Sequence, residues 1–312
     1  MTDSALTPEE SLAMNLRAIL DEDTSELVNI MKAMELRIIE KYALMVDGDQ
    51  GATSAASAPL KRFLTVTRGI ARDTINTAKT IVQEDMLSSA VARVEAYEAA
   101  SIAVPSVVSI SKVVIADGTL PMLMAAYKAK ILYNANAAAI AALARSGSTS
   151  EFRSEFSKLN ATQIGKMQAT QVTAGRAAAT YTEGEIAKQK ANRRIMAWKR
   201  WNATLERTCA RCFGYHGSVY PATGGPFMPV HPWCACFYTF MATPEASTPD
   251  PVKKFTGLSQ KELADMIGVK LAGAVASGEI KIHEIVKPIY DKKGYITDTQ
   301  VKKLSDFPQL KK

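Results

Sequence analysis

All four cysteines of the chain lie between Cys209 and Cys236, and His231 stands among them. The spacing is Cys209-x2-Cys212, then eighteen residues, then His231-x2-Cys234-x-Cys236. A C-x2-C pair turns two sulfurs to one side of a tight turn, and an extended C-x-C places a second pair on one face. Thiolate and imidazole suit tetrahedral Zn²⁺, which takes four of these five candidates. The first expectation is therefore a structural zinc site built from Cys209, Cys212, His231 and either Cys234 or Cys236. Reduced thiols, or disulfides formed in an oxidising medium, are the alternatives that the spacing leaves open.

The segment around these residues, 198–241, holds Gly214, Gly217, Gly224, Gly225, Pro221, Pro226, Pro229 and Pro232. It reads as a loop-rich knot with short strands at 218–220 and 235–240, carrying little apolar core of its own and so needing a staple. A structural Zn²⁺ contributes about 10–16 kcal/mol in small peptides, whereas a disulfide closing a loop of this size contributes about 3 kcal/mol. Metal is the better clamp. Catalysis is poorly served: between residues 209 and 241 there is no Asp or Glu to act as general base. His216 beside Cys212 is the remaining Cys–His pairing, and the chain is read as a non-enzyme.

A second chemistry lies just upstream. Lys188, Lys190, Arg193, Arg194, Lys199, Arg200, Arg207 and Arg211 face a single acid, Glu206, with Trp198 and Trp201 interleaved. Such a stretch can follow a phosphate backbone without reading sequence. The alternative is a solvated face with the tryptophans turned inward. The whole chain, with 38 basic and 31 acidic side chains and a net charge of +7, permits a polyanionic partner without requiring one.

The elements that must hold these groups are mostly helical. The first fifty residues carry eleven acids against four bases, with helix starts at Thr7-Pro8-x-Glu10 and after Asp23. Leu27, Ile30, Met31, Met34, Ile38, Tyr42 and Met45 share one helical face. Residues 48–58 read as a flexible linker and 59–103 as helix, followed by Pro105. Residues 106–115 are rich in β-branched side chains and suggest a strand. An alanine-dense helix from Pro121 to Arg145, a Ser148/Glu151 capping box, and a helical tract from Thr162 to about Trp201 complete the body. After a linker at 242–252, residues 253–312 read as a separate lysine-rich minidomain, with caps at Ser259/Glu262 and Thr297/Gln300 and a short strand at 278–282. The fold class expected is mainly α with a small α+β portion. No signal peptide and no apolar run of membrane-spanning length are seen, so a soluble, unexported chain without membrane contact is expected.

The run from Trp201 to Cys236 resembles the signature of the phage head-morphogenesis family, the Mu F-like minor capsid proteins. Arg207, Thr208, Cys209, Cys212, Gly217, Pro229, His231, Pro232, Cys234 and Cys236 match it in order. The small-residue helix from Ile164 to Lys190 is similar to the family's preceding helices, so the likeness covers roughly residues 120–241. Two positions depart from it: Ala235 stands where the family carries arginine, and His216 where an acid commonly precedes the glycine. The resemblance implies a low-copy component of the phage head, associated with the portal protein and other head proteins at the portal vertex and made in the host cytoplasm. It implies a role in head assembly, DNA packaging or DNA delivery, with packaged duplex DNA as a further partner. Some relatives carry toxin enzymes as extensions, but the tail here is short for a catalytic domain.

Overall fold

The computed structural model describes residues 8–48, 58–99, 101–106, 109–115, 118–203, 208–231, 234, 236–244 and 255–310, the side chains of residues 8–24 and 48 excepted. It is mainly helical, 65% helix against 10% strand, as the sequence led us to expect. The chain divides into two compact units, one of residues 16–89 and 109–178, the other of 1–15, 90–108 and 179–312.

The first unit is built from α3 (Leu120–Arg145) and the greater parts of α1 (Pro8–Gly48), α2 (Ala58–Ala99) and α4 (Thr149–Lys188). The expected apolar stripe of α1 is buried at Leu27, Met31, Met34, Ile38, Tyr42 and Met45. Tyr42 stacks on Phe152 of α4 at 4.0 Å between ring centroids, and Phe63 of α2 meets both rings edge-on at 5.7 Å. Polar pairs fix the register that an apolar stripe alone leaves loose. The Glu35 carboxylate accepts from Ser157 Oγ and Asn160 Nδ2 at 2.5 and 2.8 Å, and Asp85 accepts from Gln171 Nε2 at 2.5 Å.

Several expected boundaries move. α1 is one continuous helix, so no second start follows Asp23; Thr7 and residues 49–57 of the expected linker lie outside the described residues. The β-branched segment 106–115 forms no strand among its described residues. Among the described residues no strand pairs with it; Ile115 exchanges backbone bonds with Gly118, and Val113 and Ile115 are buried all the same. Half of the Ser148/Glu151 box is present: Ser148 Oγ accepts from Glu151 N, but the Glu151 carboxylate turns to Ser146 instead.

In the second unit the helical tract stops at Lys188 rather than continuing to Trp201. A chain of turns follows, tethered by buried Asn192, whose side-chain amide donates to Ala103 O and Ile186 O and accepts from Ala103 N. Trp198–Asn202 then forms β1, the centre of a three-stranded antiparallel sheet with β2 (Val219–Pro221) and β3 (Phe237–Met241). Helix α5 (Ala210–Tyr215) lies between β1 and β2 in the chain. The knot does have an apolar core, contrary to expectation. Trp201, Tyr215, Tyr220, Met228 and Tyr238 are each 2% exposed or less. Trp201 packs on Tyr215 at 4.7 Å and edge-on against Tyr238 at 5.4 Å. Counting glycines and prolines concealed this, because the aromatic residues that close the core are scattered among them.

The tail comprises α6 (Gln260–Ile267), α7 (Val269–Ala276), α8 (Ile282–Ile285) and the antiparallel hairpin β4 (Val286–Tyr290) with β5 (Ile296–Val301). The Ser259/Glu262 capping box is complete. Thr297 and Gln300 lie in β5 rather than at a helix start, and residues 278–282 make a turn into α8 rather than a strand. Nor does the tail stand apart. Ala210 and Phe213 of α5 share one buried cluster with Phe255, Leu263, Leu271, Ile282, Ile285 and Val286. Gly214 lies where α5 meets the hairpin: an added Cβ would come within 2.8 Å of Thr299 Cγ2 and 3.2 Å of Val286 Cγ1. Gly214→Ala is expected to lower unfolding stability by about 1–3 kcal/mol through overpacking. Gly184→Ala, in α4 with nothing within 4 Å of the added atom, should not; urea denaturation of the two variants checks the difference.

Candidate metal centre

The C-x2-C pair is positioned by the start of α5. Cys209 is the residue before the first helical turn, with extended backbone, and its Sγ accepts the Cys212 N–H at 3.4 Å. That turn brings both sulfurs to one side. His231 and Cys234 come back at the end of the long loop, held together by a Cys234 N–H bond to His231 O at 3.2 Å, and Cys236 leads directly into β3. All five expected side chains converge. Cys209, Cys212 and His231 form one group, and Cys212, Cys234 and Cys236 another, each with its ligand atoms within 4.8 Å of one another and Cys212 common to both.

The ligand atoms lie close together. Cys212 Sγ lies 3.7 Å from Cys234 Sγ, and His231 Nε2 lies 2.9 Å from Cys212 Sγ and 3.1 Å from Cys209 Sγ. All four cysteines are free thiols, so no disulfide competes for them. Cys212, Cys234 and Cys236 are buried, and Cys209 is half-buried. Crowding of this kind splits their acidities. The Cys212 hydrogen bond and the nearby His231 lower the Cys209 thiol to about 4 against its burial, and bonds from Cys212 and Cys236 pull Cys234 down as well. Cys212, hydrogen-bonded to Cys209, Cys234 and Cys236, is pushed up. A cluster that favours thiolates at some sulfurs while penalising them at neighbours is one that a cation would relieve. The donor set, all sulfur and imidazole, fits a zinc-like ion and not a hard, oxygen-seeking one.

His216, the remaining candidate for a Cys–His pairing, does other work: its Nδ1 accepts the Ala203 N–H at 3.0 Å at the end of β1, and it belongs to neither sulfur group. Residues that the pattern of cysteines did not reveal also shape the site. Arg211, between Cys209 and Cys212, pairs with Asp298 of β5 at 2.9 Å, and Tyr215 OH donates to Thr297 O at 3.1 Å. Tyr220 OH donates to Ile296 O at 2.8 Å. The metal candidates are thus bolted to the tail hairpin. Only the even spacing of Tyr215 and Tyr220 among glycines could have hinted at it.

The basic stretch divides in two. Lys188, Lys190, Arg193 and Arg194 are exposed on the end of α4 and the turns that follow, with Lys188 paired to Glu185 at 2.7 Å. Lys199 and Arg200 are half-buried in β1. The Lys199 ammonium sits 4.3 Å from the Tyr238 ring centroid, and burial lowers its pKa to about 8 despite the opposing influence of Glu183. Trp201 is turned wholly into the core, so it offers no stacking surface to a base. Among the described residues no helix is long and apolar enough to cross a membrane. No protein-family model, curated protein or solved structure matches the chain.

Proposed function

We propose that the chain is a structural protein of a phage head: a low-copy minor capsid, head-morphogenesis component that binds the portal protein and other head proteins and holds one structural Zn²⁺ in its knot. The observation that carries this reading is the convergence of Cys209, Cys212, His231, Cys234 and Cys236, the motif residues of the resemblance, in two overlapping groups that share Cys212. A bound ion there would supply cross-linking rather than Lewis-acid chemistry, because no carboxylate is available in 209–241 to activate water. The residues themselves hold α5, the long loop and β3 in one piece, and that piece presents the tail. Its place in this reading is the virion head near the portal, reached from the host cytoplasm during assembly. Co-expression with the portal protein of the same phage tests the assignment. A stable complex through affinity and size-exclusion steps is expected; separate elution at micromolar concentration of both would overturn it.

A second reading, a sequence-blind contact with packaged duplex DNA, is favoured by the exposure of Lys190, Arg193 and Arg194 in the turns that follow Lys188. The half-buried Lys199 and Arg200 contribute less. Retention of duplex DNA should fall steeply between about 50 and 200 mM salt. Replacing Lys190, Arg193 and Arg194 together by Ala should flatten that dependence, by up to about one counterion for each phosphate that is no longer neutralised. Failure to retain DNA at the lower salt would remove this reading.

A further inference from the structure

Two helices of the first unit are apolar on more than the side that the core uses. On the inner side, Leu27, Met31, Met34 and Ile38 of α1 and Met124, Ile131, Ala135 and Ala138 of α3 are buried. The opposite side of such a helix is ordinarily polar, and that of α3 is not. Met122, Ala126, Ala129, Tyr133, Ile140 and Ala144 are all exposed. Their spacings of three or four residues, or of both together, set them on one outer face, the pattern of a seam that packs on another helix. α1 carries an outer stripe of the same period, Glu26, Ala33, Leu36, Glu40, Leu44 and Asp47, again all exposed. Five large apolar side chains among the described residues are more than half exposed, and four of them lie on these two stripes: Leu36 at 57%, Leu44 at 63%, Met122 at 64% and Tyr133 at 62%. Exposed apolar side chains gathered in this way mark a contact surface.

We propose that the two stripes are the halves of one contact, in which the α3 seam of one copy of the chain receives the outer face of α1 from a second copy. Charge selects this occupant. The 26 residues of α3 contain no Asp or Glu, and their charged members are Lys128, Lys130 and Arg145. The Lys130 ammonium rests 4.2 Å from the Tyr133 ring centroid, which puts a positive charge beside the seam. The α1 stripe supplies three carboxylates, Glu26, Glu40 and Asp47, while Lys32, Arg37 and Lys41 fall at its margins. A second α3 would set lysine against lysine, whereas an α1 sets carboxylates against them and leucines against Met122 and Tyr133. Length agrees as well: at 1.5 Å per residue each stripe runs about 30 Å. Alanine at 126, 129 and 144 lets the partner helix come close. Both faces are open to solvent in the single chain, so the contact is made between copies. It joins unlike surfaces, and therefore either closes as a two-fold pair that makes it twice or continues head to tail.

Sedimentation and light scattering of the full chain, from micromolar to millimolar concentration, test this. The wild type should self-associate reversibly. Leu36→Lys with Leu44→Lys on α1, and Met122→Glu with Tyr133→Glu on α3, should each weaken self-association by about 10-fold or more. Each should melt with the wild type, since the positions are exposed and make no part of the core. An equimolar mixture of the two variants should associate again, because each supplies the face that the other has lost. If a charged variant melts early, the uncharged Leu44→Gln and Tyr133→Gln are read in its place, with the same outcome expected. A wild-type chain that stays monomeric through this range overturns the proposal, as would a folded α1 or α3 variant that associates like the wild type. Recovery absent from the mixture would show that the two faces do not meet each other, and would overturn it too.

Discussion

Removing metal from the protein with a strong chelator is expected to unfold the knot and the tail hairpin in one step. The sulfurs of Cys209 and Cys212 open α5, and α5 carries Phe213 into the tail core and sets Gly214 against Thr299. On its far side, Tyr215 OH, Thr299 Oγ1 and the Arg211–Asp298 pair bind α5 to β5. Loss of the clamp therefore reaches β4 and β5 through shared side chains. A structural Zn²⁺ contributes about 10–16 kcal/mol in isolated peptides, more than the whole stability of many domains. Hydrogen exchange checks the result: the amides of 286–301 should lose protection together with those of 198–202 and 237–241. Protection retained in the hairpin while the knot exchanges freely would show the tail to be independent.

Glu183→Ala is expected to be the most damaging single substitution away from the sulfurs. Arg93 and Glu183 form an ion pair at 2.9 Å, with side chains 4% and 2% exposed. Deleting the carboxylate leaves a guanidinium buried without its counter-charge, which costs about 3–5 kcal/mol. Replacing both residues by apolar ones of similar volume, Arg93→Met with Glu183→Leu, should recover most of that loss, since a buried pair contributes little net stability over good packing. Guanidinium denaturation of the single and double variants measures the difference. Equal destabilisation by both would mean that specific hydrogen bonds, rather than an uncompensated charge, hold α2 to α4 at this point.

Much of this architecture was legible because helical periodicity is a local signal. The α1 stripe at Leu27, Met31, Met34 and Ile38, the start of α3 at Leu120–Pro121 and the Ser259 cap follow from residues within a turn or two of one another. What was missed is non-local. Thr297 and Gln300 have the spacing of a cap, but pairing of β5 with β4 and the contact of Thr299 with α5 decide their conformation. The stretch 106–115 has strand-like composition and, among the described residues, no strand beside it. Trp198 to Asn202 continues a helical composition, yet Trp201 finds Tyr238 opposite and Tyr215 beneath it, and that aromatic packing outweighs propensity. The metal candidates were readable for the reason the helices were: their chemistry lies in short spacings. Which of them could share one ion was not, because that depends on how the long loop returns His231 to the C-x2-C turn.

Elemental analysis of the full chain, purified without chelator and without added metal, bears on the central claim most directly. Close to one equivalent of zinc per chain is expected, lost along with the fold of the knot on chelation. Less than a tenth of an equivalent, in protein that is folded and whose four thiols react as free cysteines, would contradict it.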